Sequence, residues 1–419
     1  MKATKATDTD IPLAHDIEVE DVAPGVFTIG GAGRSLVVET PDGLLLVDAG
    51  ATRPMVQEMQ RTLRARTGAP VRWIVYSHGH LGYNYGVGLW LKEAEQLGHP
   101  RPVIVAHENL VRRYRRYAET TGLQNHINAL QFRGAVPTLE RLPLTYPDLT
   151  YTGSYTVHAG PDRTVQLLWA PSETDDATAV WLPEEKVLYG GAAVIDAIPN
   201  VGTPLRTLRD PVRWADTLDR LAALGAQVLV PEFGPVARGR EAVDAWLREP
   251  AAVLRWLRRE VVERMNRGMT VGAILHDIDY PDGMFDKPWL KETYGHRDYL
   301  VRDVYRSENG WWEERNPTSL HPAHPDAAAT AIADAITDKQ AVLDHATQLH
   351  DQGHTQEALH VIDLLALAPA DHPHHTAART LKRHLCAALA EQSTSYISQS
   401  IYANAARRSG PAETGVPKL

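Results

Sequence analysis

Short apolar runs recur through the first half of the chain and predict β-strands. Three early runs joined by turns, one of them the PDG at 41–43, predict hairpin-linked strands: GVFTIGG, SLVVET and GLLLVDAG. Further runs predict more strands: VRWIVYSH, RPVIVAH, VQLLWAP, ATAVWLP, KVLYGGAAV and AQVLVPEF. Helical periodicity separates some of them, in PMVQEMQRTLRART and WADTLDRLAALG. This order favours an α/β fold in which two sheets are covered on the outside by helices.

The pattern changes from about Asp326, where the sequence becomes rich in alanine and leucine at helical spacing. Gly353 and Pro369 divide this region into successive helices, so we expect a separate helical module. Between the two parts, residues 271–319 carry aromatic residues with glycine and proline punctuation. They are predicted to form an extended connector wrapped over the first domain.

Composition and charge narrow the function classes. A chain of 419 residues with 43% hydrophobic content is long enough for about two to three folded domains. The net charge of −9 and the lack of a run of five basic residues argue against nucleic acid as a partner. The single cysteine, Cys386, excludes an intramolecular disulfide. Since no apolar stretch is long enough for a signal peptide or a membrane span, we expect a cytoplasmic protein without a membrane partner.

The stretch VYSHGHLGYNYG, 75–86, carries the candidate chemistry. His78 and His80 are two residues apart at the end of a predicted strand, where alternate side chains point the same way. Two imidazoles aimed at one point suit a divalent metal ion. The alternative at this stage is that the two histidines only close the strand with hydrogen bonds.

A resemblance to a known family adds to this picture. The order GLLLVDAG, VYSHGH, WAPSETDD, KVLYGGA and VLVPEFGPV resembles the metallo-β-lactamase superfamily block by block. The resemblance implies an αββα sandwich. It also implies that Asp48 is a structural aspartate, that His78 and His80 are metal ligands, and that Glu173 is the third ligand.

The resemblance is incomplete at the ligands of the family's second metal. The positions of that site and of the bridging acid are here Gly82, Tyr83, Ala192 and Phe233. The resemblance therefore implies one divalent ion per chain, bound by two imidazoles and one carboxylate. Such a set suits Zn²⁺ with an open position, or Fe²⁺ as a facial triad.

Glutamate as the third ligand is typical of the alkyl sulfatase branch of the superfamily. Residues 291–320, KETYGHRDYLVRDVYRSENGWWEERNPTSL, resemble the connector of that branch, and the helical module resembles its dimerisation domain. A homodimer formed through this all-α module is implied, and the sterol-carrier-like domain of the branch is expected to be absent. The expected organisation is a tail (1–16), a metallo-β-lactamase-like catalytic domain (17–265), a connector (266–325), a helical dimerisation domain (326–408) and a tail (409–419).

The same resemblance suggests substrate-binding residues. In IPNVGTPLRTLRD, Asn200 and Arg206 match the sulfate-binding region of the branch, and an arginine fork suits an oxyanion. The alternative is that Arg206 and Arg209 are surface charges beside Asp210.

Other residues near the ligands are candidates for proton transfer or substrate contact. The predicted proton acceptors are Tyr83, which takes the place of a ligand, Asp176 beside Glu173, and Glu232 beside the lost final histidine. Tyr85 is expected to contact the substrate.

Three functions are compatible with this set of residues. The first is a mononuclear metal-dependent hydrolase that acts on a small intracellular ester, such as a sulfate ester, through an activated water. The second is a non-heme Fe(II), O₂-dependent oxidoreductase of a biosynthetic pathway that uses His78, His80 and Glu173. The third is a non-catalytic binding protein on the same scaffold.

Overall fold

The computed structural model describes residues 15–158, 163–369 and 373–408, whose strands form two sheets. The first sheet has the order β1 (Val19–Ala23), β2 (Val26–Gly31), β3 (Gly33–Thr40), β4 (Gly43–Val47), β5 (Val71–Val75), β6 (Val103–His107) and β7 (Leu149–Tyr151). The second has the order β13 (Ala237–Arg238), β12 (Val228–Pro231), β11 (Val187–Gly191), β10 (Thr178–Leu182), β9 (Thr164–Trp169) and β8 (Ser154–His158). Hairpins pair β1 to β4 antiparallel, and β4 to β7 run parallel.

The helices of the first half follow the strands that they cover. They are α1 (Arg53–Arg66), α2 (Val87–Gln96), α3 (Asn109–Glu119), α4 (Thr121–Gln131), α5 (Pro211–Ala223) and α6 (Arg240–Asn266). The later helices are α7 (Val271–Asp277), α8 (Arg297–Glu308), α9 (Pro317–Leu320), α10 (Pro325–Ala335), α11 (Lys339–Asp351), α12 (Thr355–Ala366), α13 (Pro373–Gln392) and α14 (Tyr396–Arg408), with a 3₁₀ turn at Pro288–Leu290. Across the described ranges, each helix is too short or too polar to cross a membrane.

Buried apolar side chains divide the first half into layers. One core lies between the two sheets and includes Val38, Val47, Leu167 and Val180. A second core joins the outer face of the first sheet to α1, α2 and α3, and a third joins the second sheet to α5, α6, α7 and α8. The predicted αββα sandwich followed by a helical region is confirmed, because alternating strand faces meet one another on one side and helices on the other.

The sheet topology brings the candidate residues to one edge. Asp48 follows β4, and the stretch 77–80 follows β5, which runs parallel to β4. The carboxyl ends of parallel neighbours lie at the same edge of a sheet, so these loops are adjacent. In the second sheet, Glu173 follows β9 and Glu232 follows β12. Residues that are far apart in sequence are thereby brought close together.

The prediction of an extended connector over 271–319 is wrong in its secondary structure. This segment contains α7 and α8, and α8 packs on α6. Leu300, Val301 and Val304 are buried in the core of the second sheet, with the spacing of one helix face. The glycine and proline residues on either side obscured this period. His296 begins the helix by accepting a hydrogen bond from the backbone of Asp298.

A buried carboxyl group on α8 makes the stability depend on pH. Asp303 is 3% exposed, its Oδ2 has no hydrogen-bond partner among the described residues, and its Oδ1 is 3.5 Å from Arg306 Nη1. Burial raises the pKa of Asp303 from 3.8 to about 6. The native state therefore bears a cost for the ionised form, which is absent below pH 4, grows as the pH rises to 6, and is constant above it.

We expect Asp303→Asn to raise the midpoint of thermal unfolding at pH 8, because the amide removes this ionisation cost while it keeps the shape of the side chain. The gain should shrink as the pH falls through 6 towards 4, and melting curves at several pH values would measure it. A gain that is the same at every pH would show that the titration of Asp303 is not its source.

Candidate metal centre

His78 and His80 lie in the loop that follows β5, beyond the last strand residue, Val75. The prediction that strand alternation aligns them is therefore wrong in its reason, although their rings do meet. The ring centroids are 4.8 Å apart, with an angle of 75° between the planes. The loop, rather than the pleat of a strand, directs both imidazoles to one point.

Asp48 organises this loop from the end of β4. Its Oδ1 accepts hydrogen bonds from the backbone N–H of Ser77 (2.9 Å) and from Asn84 Nδ2 (2.8 Å), and its Oδ2 accepts one from Ser77 Oγ (2.5 Å). Asp48 itself has φ of 60°, in the left-handed region that aspartate tolerates better than most residues. The buried carboxylate thus holds both ends of the histidine loop in place.

These contacts determine which nitrogen of His78 is free. Burial raises the pKa of Asp48 only to about 6, so at neutral pH its carboxylate is ionised and can only accept. Ser77 must then give its proton to Asp48, and its Oγ accepts from His78 Nδ1–H at 2.9 Å. The lone pair of His78 lies on Nε2, a buried atom with no hydrogen-bond partner among the described residues. Burial also lowers the pKa of His78 to about 3, which keeps the ring neutral.

Glu173 completes the group. Its Oε2 is 3.3 Å from His80 Nδ1, and its Oε1 is 3.0 Å from Arg209 Nη1. The side-chain amide of Asn200 is 3.4 Å from the same Oε1, and in the other amide orientation its oxygen accepts from Arg209 at 3.0 Å. The buried Arg209 lowers the pKa of Glu173 well below its usual value, although burial opposes this. Glu173 is therefore ionised, with one oxygen turned towards the histidines.

The three side chains fit a divalent cation. One ligand atom from each of His78, His80 and Glu173 lies within 4.8 Å of the other two, and in the described part of the chain this is the one such group of three or more. Two ligands bound to one tetrahedral ion at about 2.0–2.1 Å lie about 3.3 Å apart, close to the separation of His80 and Glu173. The orphaned Nε2 of His78 is the third donor. Two neutral imidazoles and a carboxylate form a site that can hold a divalent metal ion.

The residues that, by the resemblance, stand where the family has the ligands of a second ion are not metal ligands of the usual kind. Gly82 has φ of 103°, a conformation that an aspartate would adopt only with strain. Ala192 is buried and offers no ligand atom, and Phe233 stacks on His15 with ring centroids 5.4 Å apart. Tyr83 packs with its ring centroid 4.4 Å from that of His78.

Tyr83 and Glu232 occupy this side of the centre together. Both pack on Gly33, where a Cβ would lie 3.0 Å from Glu232 Cγ and 3.0 Å from Tyr83 Cε1. Burial raises the pKa of both groups well above their usual values, and the charge of Glu173 raises that of Glu232 further. At neutral pH the phenol of Tyr83 is therefore protonated, and the carboxyl group of Glu232 holds its proton more tightly than an ordinary glutamate does. A role of Tyr83 or Glu232 in proton transfer stays a prediction.

Asp176 lies behind the histidine loop. Its side chain exposes no surface, and its Oδ1 accepts from Arg113 Nε at 2.7 Å, which outweighs burial and lowers its pKa. A Cβ at Gly79 would lie 2.7 Å from Asp176 Oδ2 and 2.7 Å from Arg113 Cδ. The glycine between the two histidines thus lets this ion pair pack directly beneath them.

The candidate substrate residues have different surroundings. Arg206 is half-buried, and its guanidinium donates to the amide oxygens of Asn128 and Gln131. Arg209 is buried against Glu173, so neither arginine is the surface charge of the alternative interpretation. Tyr85 packs partly buried against the core of the first sheet, and a substrate contact for it stays a prediction.

Sequence reasoning missed several residues of this centre, namely Ser77, Asn84, Arg113 and Gln131. Ser77 and Asn84 flank the predicted histidine loop, and their proximity to it was an available signal. Gln131 lies on a helix with no motif. Its part in the site arises only from packing.

Two family models match the chain. The model of the metallo-β-lactamase superfamily matches residues 28–232, and that of the alkyl sulfatase dimerisation region matches residues 270–410. The first match includes His78, His80, Glu173 and Glu232. The second includes α8 and α10 to α14.

Curated relatives with sequence similarity are sulfatases. A linear primary-alkylsulfatase of a Pseudomonas species is 28% identical over 77% of this chain and 64% of its own length. An (R)-specific secondary-alkylsulfatase of a Pseudomonas species is 24% identical over 95% of this chain and 64% of its own length. An alkyl/aryl-sulfatase of Saccharomyces cerevisiae is 23% identical over 88% of this chain and 60% of its own length. The chain therefore spans less than two thirds of these relatives.

A solved structure shares the fold of almost the whole chain. The stereoselective inverting sec-alkylsulfatase Pisa1 from a Pseudomonas species superposes with a TM-score of 0.81 at 20% identity. The match covers 95% of this chain and 66% of that protein. At this level of identity the likeness shows the arrangement of sandwich, connector and helical module.

Proposed function

The chain is an alkyl sulfatase-like member of the metallo-β-lactamase superfamily, and from this premise we propose that it is a mononuclear metal-dependent hydrolase of a small sulfate ester. The observation that carries the proposal is the cluster of His78, His80 and Glu173, in which one ligand atom from each residue lies within 4.8 Å of the other two. We propose one divalent ion per chain, because Tyr83, Ala192 and Phe233 supply no second set of ligands.

The residues around this point suit ester hydrolysis. A bound divalent ion would supply Lewis-acid activation of a water molecule. The side chains of His80 and Glu173 are 22% and 16% exposed, so the centre is open to a small molecule on their side. Tyr83, protonated beside Glu232, can donate a hydrogen bond to an oxygen at the centre. Asp176, fully buried, keeps Arg113 and the histidine loop in place.

An oxyanion binds beside the ligands in this proposal. Arg206 is a cation whose guanidinium donates, within the described ranges, to the neutral amides of Asn128 and Gln131, and Asn200 lies between Arg209 and Glu173. A guanidinium fork pairs well with the oxygens of a sulfate group. We assign Arg206 to the sulfate group, and Asn200 to the boundary between that group and the metal.

We also propose that the protein is a homodimer through its helical region. The model of the dimerisation region matches residues 270–410. Within it, three large apolar side chains are exposed: Ile332 on α10, Leu364 on α12, and Leu367 directly after α12. A second copy would cover them. The domain limits that we propose are 17–265 for the catalytic unit, 266–325 for the connector and 326–408 for the helical unit.

The experiment that tests the function measures metal content and turnover on the same sample. Protein purified without chelator is analysed for zinc and iron per chain and assayed with alkyl and aryl sulfate esters for released sulfate. About one zinc per chain with sulfate release supports the proposal. Two ions per chain would contradict the single site, and about one iron with O₂ consumption would favour the oxidoreductase. No metal and no turnover would favour a binding protein.

A further inference from the structure

The hydrogen-bond partners of the Arg206 side chain lie on a helix that carries none of the proposed metal ligands. Its Nε and Nη2 donate to Gln131 Oε1 at 3.1 and 2.7 Å, and Nη2 also donates to Asn128 Oδ1 at 3.1 Å. All of these acceptors are neutral amides, so the contacts orient the guanidinium without cancelling its charge. Both Asn128 and Gln131 are on α4.

Gln131 joins Arg206 to the connector. While its Oε1 accepts from Arg206, its Nε2 donates to Tyr294 Oη at 2.5 Å. Gln131 is 3% exposed, and it uses both ends of its amide. An amide held at both ends has one orientation, so the position of Tyr294 determines where the acceptor for Arg206 lies.

The start of α14 in turn holds Tyr294. Ser395 Oγ donates to the carbonyl of Tyr294 at 2.7 Å, and the backbone N–H of Ile397 donates to the same carbonyl at 3.2 Å. The ring of Tyr396 stacks on that of Tyr294, with centroids 6.1 Å apart and planes 5° apart. The tyrosine is therefore fixed by the last helix of the helical region.

The same helix also holds α4 itself. Asn404 Nδ2 donates to the carbonyl of Leu130 at 2.8 Å. Arg133 donates to Ser400 Oγ at 3.1 Å and to Gln399 Oε1 at 2.9 Å. Leu130 and Arg133, one on either side of Gln131 in the sequence, are thus tied to α14 independently of Tyr294.

We propose that the region matched by the dimerisation model is also part of the substrate site, because α14 positions Arg206 through Tyr294 and Gln131. Gln131 and Tyr294 are positioning residues, and the ligand is a tetrahedral oxyanion, such as the sulfate group of an ester or free sulfate. The inference rests on the proposed function for the identity of the oxyanion. It assigns to this helical region a role besides association of subunits.

The physical reason is preorganisation. An arginine side chain has several rotatable bonds, and an oxyanion that had to immobilise it would bind more weakly. Neutral amide acceptors remove this freedom and leave the charge for the ligand. A carboxylate in place of Gln131 would hold the guanidinium equally well but would neutralise it.

The variant Gln131→Glu therefore distinguishes two roles of Gln131: orienting Arg206 for an anion, or only stabilising the fold. The probe is inorganic sulfate, titrated calorimetrically at constant ionic strength into the full chain as purified, with metal content measured. We expect sulfate to bind about tenfold or more weakly in this variant, at unchanged metal content. A structural contact would predict the opposite pattern: an equal or higher thermal midpoint with sulfate affinity within twofold of wild type, which would overturn the proposal.

Two further variants test the chain of contacts. Gln124→Glu adds the same charge to a buried glutamine of α4 that bonds to Thr120, and it should leave sulfate binding within twofold. Tyr294→Phe removes only the hydroxyl group and should weaken sulfate by about threefold or more and raise KM with little change in kcat. Unchanged sulfate affinity in Tyr294→Phe would show that α14 does not position Arg206 through Tyr294, and it would overturn the proposal.

The failure of this inference is distinct from failure of the proposed function, because sulfate binding needs no turnover. Wild-type protein that binds sulfate in the expected pattern without hydrolysing sulfate esters would contradict only the function. Wild-type protein that binds neither sulfate nor phosphate would overturn the inference.

Discussion

Glu173→Gln is expected to reduce the metal content from about one ion per chain to near zero after dialysis. Glu173 is the only anionic member of the ligand group among the described residues, and its Oε2 is the atom turned to His80. The amide is uncharged, and it leaves Arg209 buried beside the centre without its carboxylate. Since loss of residues that merely support a ligand costs about 10–100-fold in metal affinity, loss of the charged ligand should cost at least about 100-fold.

Metal analysis after dialysis and competition with a chromogenic chelator would measure this loss, and hydrolytic activity should fall with it. Asp175→Asn is the matched control, because it makes the same carboxylate-to-amide change two residues away. Asp175 pairs with Arg112 and Arg113 rather than with the ligands. Glu173→Gln protein that retains about one ion per chain would show that Glu173 is not a ligand.

Asp48→Asn is expected to lower metal affinity about 10–100-fold with little change in shape, because it reverses the tautomer of His78. If the nitrogen of the new amide faces Ser77 Oγ, the amide donates a hydrogen bond to this oxygen. Ser77 must then donate its own proton to His78 Nδ1. The metal-binding Nε2 would then carry a hydrogen. With the amide reversed, its nitrogen would face the N–H of Ser77 and the amide of Asn84, which are both donors.

A double-mutant cycle tests this relay. Ser77→Ala should also weaken metal binding, because His78 Nδ1 loses its partner. If Asp48 acts through Ser77, Asp48→Asn should cost much less in the Ser77→Ala background than in wild type. Nitrogen NMR shifts of His78 in the metal-free protein report its tautomer. Additive losses, or a wild-type tautomer in Asp48→Asn, would contradict the relay.

Much of the fold could be predicted from local patterns. The apolar runs at 26–31, 43–47 and 187–191 are strands, and the periodic stretch at 53–66 is a helix. These elements bury one or both faces, so apolar residues recur along them at the spacing of a strand or a helix, and the sequence shows that spacing directly. The connector was harder, because the helical face of α8 is short and lies beside glycine and proline residues. Short strands such as Leu149–Tyr151 carry too few residues for a period to be visible.

The sequence by itself, through the family resemblance that it carries, predicted the metallo-β-lactamase-like sandwich and the candidate ligands His78, His80 and Glu173. The same resemblance places Gly82, Tyr83, Ala192 and Phe233 where the family has the ligands of a second metal and the bridging acid. These conclusions depend on the identity and order of residues. They need no knowledge of how side chains are oriented.

Only the tertiary structure decided which atoms meet. It left Nε2 of His78 free, through the hydrogen bonds that join Asp48, Ser77 and the ring of His78, and it placed Nδ1 of His80 3.3 Å from Glu173. It also joined Arg206 to Gln131, 75 positions away, and Gln131 to Tyr294, 163 positions away. Contacts at such separations depend on how sheets and helices pack, and a local pattern holds no record of them.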